Sequence, residues 1–215
     1  MTDFWLYERG MRDRGYEVIC GVDEAGRGPL AGPVFAAAVV LPFGIDIPGL
    51  NDSKKVSGPM RERLYDEIAG KAVAYGVALA THEEIDSINI LQATYLAMNR
   101  AVDGLITAMR EQAKGPGRPV ATAAAVDIAL IDGNRNCGIA HKSICITGGD
   151  GKSASIAAAS ILAKVSRDRF MLEMAERYPQ YGFERHKGYG TRLHYEKLRE
   201  FGPSEIHRAS FLRRL

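Results

Sequence analysis

The sequence contains little cysteine and no long apolar stretch. Its 215 residues include three cysteines, Cys20, Cys137 and Cys145, and no two of them form a Cys-x-x-Cys pair. This odd number argues against a disulfide framework and predicts buried, reduced thiols in a cytoplasmic protein. The longest apolar run, residues 34–41, is far shorter than a membrane span. Charged side chains within residues 1–15 argue against a secretion signal.

The composition is that of a water-soluble globular protein, with 46% apolar and 25% charged residues. The length suits one large domain or one domain with an appendage. The net charge is only +2, but residues 185–215 contain eight Lys or Arg against three Glu, which leaves +5 there and −3 elsewhere. A basic end beside an acidic body is typical of a clamp on a polyanion, although a solvated surface helix fits the charge equally well.

Short apolar runs bounded by turn residues predict five β-strands. The spacing of the first three runs predicts an antiparallel set, and the last two runs follow a long helical segment. The predicted strands cover residues 18–22, 34–41, 72–80, 126–131 and 143–147.

Three helices are predicted between and after these strands. Ser57 can cap a helix over residues 57–69. Thr81 begins a capping box, and apolar residues then recur every three or four positions, which is typical of a long amphipathic helix with one core face. An alanine-rich helix is predicted over residues 153–177. This order of elements predicts a mixed α/β sheet flanked by helices.

Two adjacent carboxylates, Asp23 and Glu24, follow the first predicted strand. Neighbouring strand residues point to opposite faces, so this pair would diverge if the strand stayed regular. The glycine-rich segment after them, residues 26–32, can form a bend that brings both near one ion. Its backbone N–H groups and Arg27 can also contact a phosphate. For this pair alone, an ordinary acidic turn is the commoner explanation.

Two more aspartates, Asp132 and Asp150, occur where a predicted strand gives way to glycine. Each alone could be a turn residue, but together with Asp23 and Glu24 they predict one acidic crevice at the carboxyl ends of strands. Four such carboxylates would repel one another unless divalent cations neutralised them. Oxygen ligands favour Mg²⁺ or Mn²⁺ over zinc, and two such ions can support an in-line displacement at phosphorus.

A nucleotide-binding P-loop is a rival interpretation of residues 148–153, which read Gly-Gly-Asp-Gly-Lys-Ser and open a helix. The P-loop requires a glycine five residues before the glycine of Gly-Lys-Ser, and Ile146 stands at that position. The spacing therefore argues against an NTPase.

Several blocks of the sequence closely resemble type 2 ribonuclease H (ribonuclease HII) of the bacterial kind. The first block is unbroken from Gly21 to Val34. The others, in the order of that family, are Asp-Ser-Lys-Lys at 52–55, Ile-Asp-Gly-Asn at 131–134, residues 155–168, His-Lys-Gly-Tyr-Gly-Thr at 186–191 and residues 202–211. Residues 112–125 are not covered and are interpreted as a loop insertion.

The resemblance implies a ribonuclease-H-like five-stranded mixed sheet flanked by helices, with a C-terminal helical extension. It divides the chain into a catalytic domain, residues 1–180, and a helical substrate-binding portion, residues 181–215. It also implies that Asp23, Glu24, Asp132 and Asp150 are the catalytic and metal-binding carboxylates.

Substrate contacts are implied as well. Gly26, Arg27 and Gly28 resemble the element that reads the DNA–RNA junction through the backbone and the 2′-OH. Tyr189 resembles the tyrosine that stacks on the sugar of the nucleotide after the ribonucleotide. A 2′-OH is what distinguishes RNA from DNA at one position. Lys54 can contact a substrate phosphate or remain solvated.

Other polar residues are interpreted as structural. Lys164 and Asp168 are an i, i+4 pair on a predicted helix. His186 and His207 are expected to be hydrogen-bonded rather than ligands. Gly148 departs from the family, in which a lysine is expected there, and this departure concerns a local phosphate contact rather than Asp150.

The resemblance implies an endonuclease that hydrolyses the RNA strand of RNA–DNA hybrids and incises 5′ to single ribonucleotides in duplex DNA. The products would carry 5′-phosphate and 3′-OH, and the mechanism would use two Mg²⁺ or Mn²⁺ ions. Ribonucleotide excision repair and RNA primer processing are the implied roles, for a cytoplasmic monomer without a membrane partner. Two alternatives stay open: a related metal-dependent DNA nuclease or phosphotransferase, and a non-catalytic hybrid-binding module.

Overall fold

A mixed β-sheet forms the centre of the protein in a computed structural model, which describes residues 3–114, 125–135 and 138–212. Within those residues the sheet has five strands in the order β3-β2-β1-β4-β5. The strands are β1 (Ile19–Ala25), β2 (Val34–Val40), β3 (Ala74–Ala80), β4 (Ile128–Asp132) and β5 (Ser143–Ile146). β2 pairs antiparallel with β1 and β3, whereas β4 pairs parallel with β1 and β5. The predicted mixed sheet is confirmed.

Helices cover both faces of this sheet. The helices among the described residues are α1 (Leu6–Arg12), α2 (Gly58–Lys71), α3 (His82–Ala113), α4 (Ala154–Arg177), α5 (Phe183–His186), α6 (Arg192–Phe201) and α7 (Ala209–Leu212). α3 packs on one face of the sheet, and α2 and α4 pack on the other. None of the helices among the described residues combines the length and the apolar character needed to cross a bilayer.

Alternation along the strands assigns each side chain to one of these two layers. Cys20 and Val22 of β1 pack in the α3 layer, whereas Ala37 and Val39 of β2 pack in the α4 layer. Gly21 faces α4, and a Cβ atom there would lie only 2.1 Å from the backbone of Ser155. The close approach of α4 to β1 therefore depends on glycine at this position.

β1 continues past its predicted end. Asp23 pairs with Ala37 and Glu24 with Ala36, so both carboxylates lie inside the strand and not after it. The ladder to β2 keeps the backbone extended until Gly26, where φ is 100°. The other strand ends lie within two residues of their predicted positions.

Two features of the helices differ from the sequence-based expectation. α1 was not predicted, and α3 is kinked at Asn89, whose φ of 67° is not helical. The Asn89 side chain accepts hydrogen bonds from the backbone of Leu91 and Gln92, so it caps the second part of the helix. The predicted capping box at Thr81 is present. Most of the proposed insertion, residues 115–124, lies outside the described residues.

The cysteines follow the prediction in part. Cys20 is fully buried, and burial raises the pKa of its thiol to about 12. Cys145 is only half-buried, because β5 is the edge strand of the sheet. Cys137 lies outside the described residues.

The C-terminal helices pack around a small aromatic and imidazole cluster. Tyr181 and Phe183 stack with ring centroids 5.3 Å apart, and His186 stacks on His194 at 4.4 Å. His186, His194 and His207 are all buried and hydrogen-bonded, as expected of structural histidines. The division of the chain near residue 180 stays a prediction.

Acid should destabilise the fold through His194 and His207. Burial lowers the pKa of each imidazole to about 4, whereas the unfolded value is about 6.5. Between these values the unfolded chain binds protons that the folded chain does not, so the free energy of unfolding decreases as the pH falls from about 6.5 towards 4. By about pH 4.5 the loss should be on the order of 2 kcal/mol per histidine.

Thermal unfolding at about pH 7 and about pH 4.5 measures this loss. The double variant His194→Gln/His207→Gln lacks both titrating groups, so its melting temperature should fall less than that of the wild type. Equal decreases in the two proteins would contradict the assignment.

Candidate active site

Three aspartates converge at one edge of the sheet. Val22 on β1 pairs with Ile131 on β4, so Asp23 and Asp132 follow next to each other, both on the α4 side of the sheet. Asp150 comes from a short 3-10 turn after β5. One carboxylate oxygen of each aspartate lies within 4.8 Å of the other two. The structure thus brings together three of the four predicted carboxylates.

The turn that carries Asp150 also supports Asp132. Gly148 has a left-handed φ of 65°, which turns the chain, and the N–H of Gly149 donates a 2.7 Å hydrogen bond to Asp132 Oδ1. The Nζ of Lys152 donates a hydrogen bond to the carbonyl oxygen of Thr147 at 2.6 Å. The glycine-rich segment that resembles part of a P-loop therefore carries Asp150 and binds the side chain of Asp132.

Glu24 lies beside this group but on the opposite face of β1. Because the strand stays regular through Ala25, the two side chains point to opposite faces, and the predicted glycine bend begins only after them, at Gly26. Glu24 Oε1 accepts a hydrogen bond from Arg27 Nη1 at 3.3 Å. It lines a cleft of about 280 Å³ on the α3 side together with Asp132 and Arg135. Asp132 is thus part of the aspartate cluster on the α4 side and also lines the cleft on the α3 side.

Burial makes Asp23 and Glu24 hard to ionise, and nearby carboxylates add to this effect. Burial, together with the charges of Glu24 and Asp132, raises the pKa of Asp23 well above its ordinary value. Burial also raises the pKa of Glu24, although Arg27 opposes this shift. A bound cation would remove the repulsion and restore the charged form.

Asp52 is a fifth carboxylate that the sequence analysis did not single out. Burial raises the pKa of Asp150, and the charges of Asp132 and Asp52 add to this increase. Lys54 Nζ lies 3.6 Å from Asp150 and supplies a partial counter-charge. Asp52 lies in the Asp-Ser-Lys-Lys block that resembles the family, and this membership could have identified it as a site residue from the sequence.

The donor atoms suit a hard divalent cation. All three converging groups are carboxylates, and the cluster contains neither a histidine nor a cysteine. Mg²⁺ and Mn²⁺ prefer oxygen ligands of this kind, whereas zinc sites usually include nitrogen or sulfur. The residues that are present therefore fit a divalent metal site.

A second cleft, of about 220 Å³, lies on the α4 side beside Asp23. All the predicted substrate-binding residues line it: Gly26, Arg27, Gly28, Lys54 and Tyr189. Tyr189 is 43% exposed, and its ring lies against Gly28. Ser53, Ser160 and Lys164 form the opposite wall, where Ser160 donates a 2.7 Å hydrogen bond to Ser53. The predicted pair Lys164–Asp168 is present at 2.6 Å.

Two buried arginines hold the glycine-rich segment in place. Arg208 is fully buried and donates hydrogen bonds of 2.6–2.9 Å to the carbonyl oxygens of Gly26, Arg27, Pro29 and Gly32. Arg167 donates to the carbonyl oxygens of Ala31, Pro33 and Lys187. Arg208 is one of the basic residues of the predicted clamp, but it is a buried scaffold residue, because its guanidinium donates to backbone carbonyl oxygens.

Comparison with known proteins identifies the family. The family profile described as Ribonuclease HII matches residues 20–214. The chain belongs to the ribonuclease HII family. Ribonuclease HII from Burkholderia thailandensis is 55% identical over 195 residues, which cover 91% of this chain and 83% of that protein. Ribonuclease HII from Burkholderia mallei is 54% identical with the same coverage.

Solved structures share the fold. Ribonuclease HII in the PCNA:RNase HII complex from Archaeoglobus fulgidus has a TM-score of 0.63 and 24% identity, and the match covers 90% of this chain and 93% of that one. Bst-RNase HIII in complex with Mn²⁺ has a TM-score of 0.66 and 18% identity, and the match covers 91% and 67%. These likenesses confirm the ribonuclease-H-like architecture.

As a member of the ribonuclease HII family, the protein is a ribonuclease H-type endonuclease that acts on nucleic acid. This result decides against the non-catalytic hybrid-binding module and against the NTPase interpretation. It leaves the roles of individual residues as predictions.

Asp23→Asn should stabilise the metal-free enzyme and weaken its response to metal. The substitution removes a charge that burial and neighbouring carboxylates disfavour. In EDTA the free energy of unfolding should therefore increase by roughly 1 kcal/mol, and the melting temperature should rise with it. Mn²⁺ should then raise the melting temperature of the wild type much more than that of the variant.

Glu173→Gln is the matched control, because Glu173 is an exposed carboxylate on α4 and the net charge changes equally. It should behave like the wild type in both measurements. An equal Mn²⁺ response in Asp23→Asn would exclude Asp23 as a metal ligand.

Proposed function

We propose that this endonuclease incises duplex DNA on the 5′ side of an embedded ribonucleotide and hydrolyses the RNA strand of RNA–DNA hybrids, leaving 5′-phosphate and 3′-OH ends. One observation carries the proposal: Asp23 shares a cleft with the Gly26–Gly28 backbone and Tyr189. A scissile phosphate beside the carboxylates would therefore lie next to the groups that resemble the family's junction-reading element. Family membership supports the same substrate class.

The proposal includes two divalent cations, Mg²⁺ or Mn²⁺, held by Asp23, Glu24, Asp132 and Asp150. When bound, such ions supply an activated water and neutralise the charge on the departing oxygen. Asp132 belongs to the aspartate cluster and also lines the cleft that contains Glu24, which supports a site to which all four carboxylates would contribute.

Several side chains of the cleft would bind and orient the nucleic acid. Arg27 is half exposed, so its guanidinium can exchange Glu24 for a phosphate oxygen. Lys54 is largely exposed and can contact a phosphate while it remains near Asp150. The Tyr189 ring is 43% exposed beside Gly28 and can stack on a sugar.

The proposal also covers the setting of the reaction. We infer a cytoplasmic monomer that acts in ribonucleotide excision repair and primer processing, with residues 181–215 as the substrate-binding portion. Tyr189 comes from that portion, which supports the assignment. Sedimentation of the enzyme alone and with a ribonucleotide-containing duplex tests the monomeric state.

Incubation with a short labelled duplex that contains one ribonucleotide tests the activity. With Mg²⁺ or Mn²⁺ we expect one incision on the 5′ side of the ribonucleotide and none in an all-DNA duplex. Asp132→Asn should lower the rate by roughly a thousandfold, since this carboxylate is proposed to be a metal ligand. Equal cleavage of the all-DNA duplex would favour the alternative, a metal-dependent DNA nuclease.

Tyr189→Ala should weaken the preference for the ribonucleotide-containing duplex by raising its KM roughly tenfold or more, if stacking on the sugar contributes at least the lower end of the about 1–3 kcal/mol known for stacking on a base. Tyr189→Phe keeps the ring and serves as the matched control, so it should retain the wild-type KM within about threefold. An unchanged KM in Tyr189→Ala would show that the ring does not contact the substrate.

A further inference from the structure

The segment that presents Tyr189 has an unusual backbone. Lys187 has a left-handed φ of 49° and Gly188 one of 82°. A side chain at Gly188 would clash with Ala31, since its Cβ would lie 2.7 Å from the carbonyl oxygen of that residue. A non-glycine residue in the left-handed region costs free energy, so such a segment persists only where its surroundings fix it.

Three successive carbonyl oxygens of this segment are held from outside. Arg167 Nη2 donates to Lys187 at 3.1 Å, and the N–H of Leu30 donates to Gly188 at 2.8 Å. The third oxygen, that of Tyr189 itself, accepts from the N–H of Thr191 at 2.8 Å and also lies 3.0 Å from Nδ1 of His194. His194 is fully buried, so it cannot touch the substrate, and its contact with Tyr189 is to the backbone.

His207 and His194 form a chain of hydrogen bonds in which each ring accepts on one nitrogen and donates from the other. The backbone N–H of Ser204 donates to His207 Nδ1 at 2.8 Å, so the proton of neutral His207 is on Nε2. That nitrogen lies 2.9 Å from His194 Nε2, which must accept. The proton of His194 is therefore on Nδ1, where it is donated to the Tyr189 carbonyl oxygen. The backbone groups at the two ends thus determine both tautomers.

We propose that His207 and His194 form a hydrogen-bond relay that positions Tyr189 for the nucleotide after the ribonucleotide, an inference that rests on the proposed function. His194 is a positioning residue, and His207 orients it from the Ser204 turn. The relay limits the orientations of the segment before substrate arrives. Its loss should raise KM for the ribonucleotide-containing duplex and leave kcat unchanged, because the carboxylates are not affected.

Two variants of His194 separate the two hydrogen bonds of its ring. His194→Asn can place an amide N–H near the Nδ1 position and so keep the donor to Tyr189. His194→Gln can place its amide near the Nε2 position, which keeps the contact with His207 and removes the side-chain donor to Tyr189, so that the N–H of Thr191 alone remains on that oxygen. We expect a KM within about threefold of wild type for His194→Asn and about tenfold higher for His194→Gln, as the loss of one buried hydrogen bond predicts.

A structural effect would behave differently. Both variants lose one hydrogen bond in the same buried cluster, so their melting temperatures should be similar while their KM values differ. If the two variants have similar KM values, or if KM rises in proportion to the loss of melting temperature, the relay is wrong. In a Tyr189→Ala background, His194→Gln should have no further effect on KM, since the ring that it positions is gone. Additive effects would also overturn the relay.

The KM values of the Tyr189 and His194 variants distinguish a failure of the proposed function from a failure of the relay. If Tyr189→Ala leaves KM unchanged, the substrate role of Tyr189 is wrong, and the relay has no consequence for binding. If Tyr189→Ala raises KM but His194→Gln does not, the relay alone is wrong.

The wild-type protein provides a test that does not depend on any variant folding. Nitrogen-15 NMR of the imidazole rings at neutral pH should show His194 with its proton on Nδ1 and His207 with its proton on Nε2. A His194 ring with its proton on Nε2 would overturn the relay.

Discussion

Repulsion among buried carboxylates is the constraint on which the rest of the structure depends. Parallel pairing of β1 and β4 brings Asp23 beside Asp132, and the turn after β5 adds Asp150. Burial in this position makes ionisation costly, and Lys54 offsets it only in part. The fold therefore holds an arrangement that is unfavourable by itself and becomes favourable with a divalent cation. A site built in this way couples metal binding to the charge state of the ligands.

The cleft that contains Tyr189 depends on a different interaction, the hydrogen bonds from buried arginines to backbone carbonyl oxygens. The glycine-rich segment between β1 and β2 forms no regular structure, so its carbonyl oxygens need donors from elsewhere. Arg208 from the C-terminal region and Arg167 from α4 provide them. Arg167 also reaches Lys187, beside Tyr189. The segment near residue 27 and the segment near residue 189 are thereby held by the same scaffold, which explains how distant parts of the chain form one cleft.

Much of the fold could be predicted because local patterns control it. Apolar runs located the strands, and the capping residue Thr81 located the start of α3. The predicted end of β1 at residue 22 was wrong because hydrogen-bonded pairing with β2 continues through Glu24. Such pairing depends on both strands and cannot be read from one of them alone. The kink at Asn89 was missed because a polar side chain in a helical pattern does not reveal that it caps the next turn. Family membership follows from long blocks of sequence, which the comparison confirms.

The sequence by itself determined the residue types of the site, since carboxylates and glycines at strand ends specify oxygen ligands and a close approach of backbone. It also determined which aspartates could meet, because residues that follow parallel strands share one edge of the sheet. Only the tertiary structure decided that Glu24 faces the other side from Asp23, since this depends on the strand staying regular. Only the tertiary structure placed Asp52 against Asp150, buried Arg208, and oriented His194 towards Tyr189. These contacts join residues far apart in the chain, and no local pattern encodes such distances.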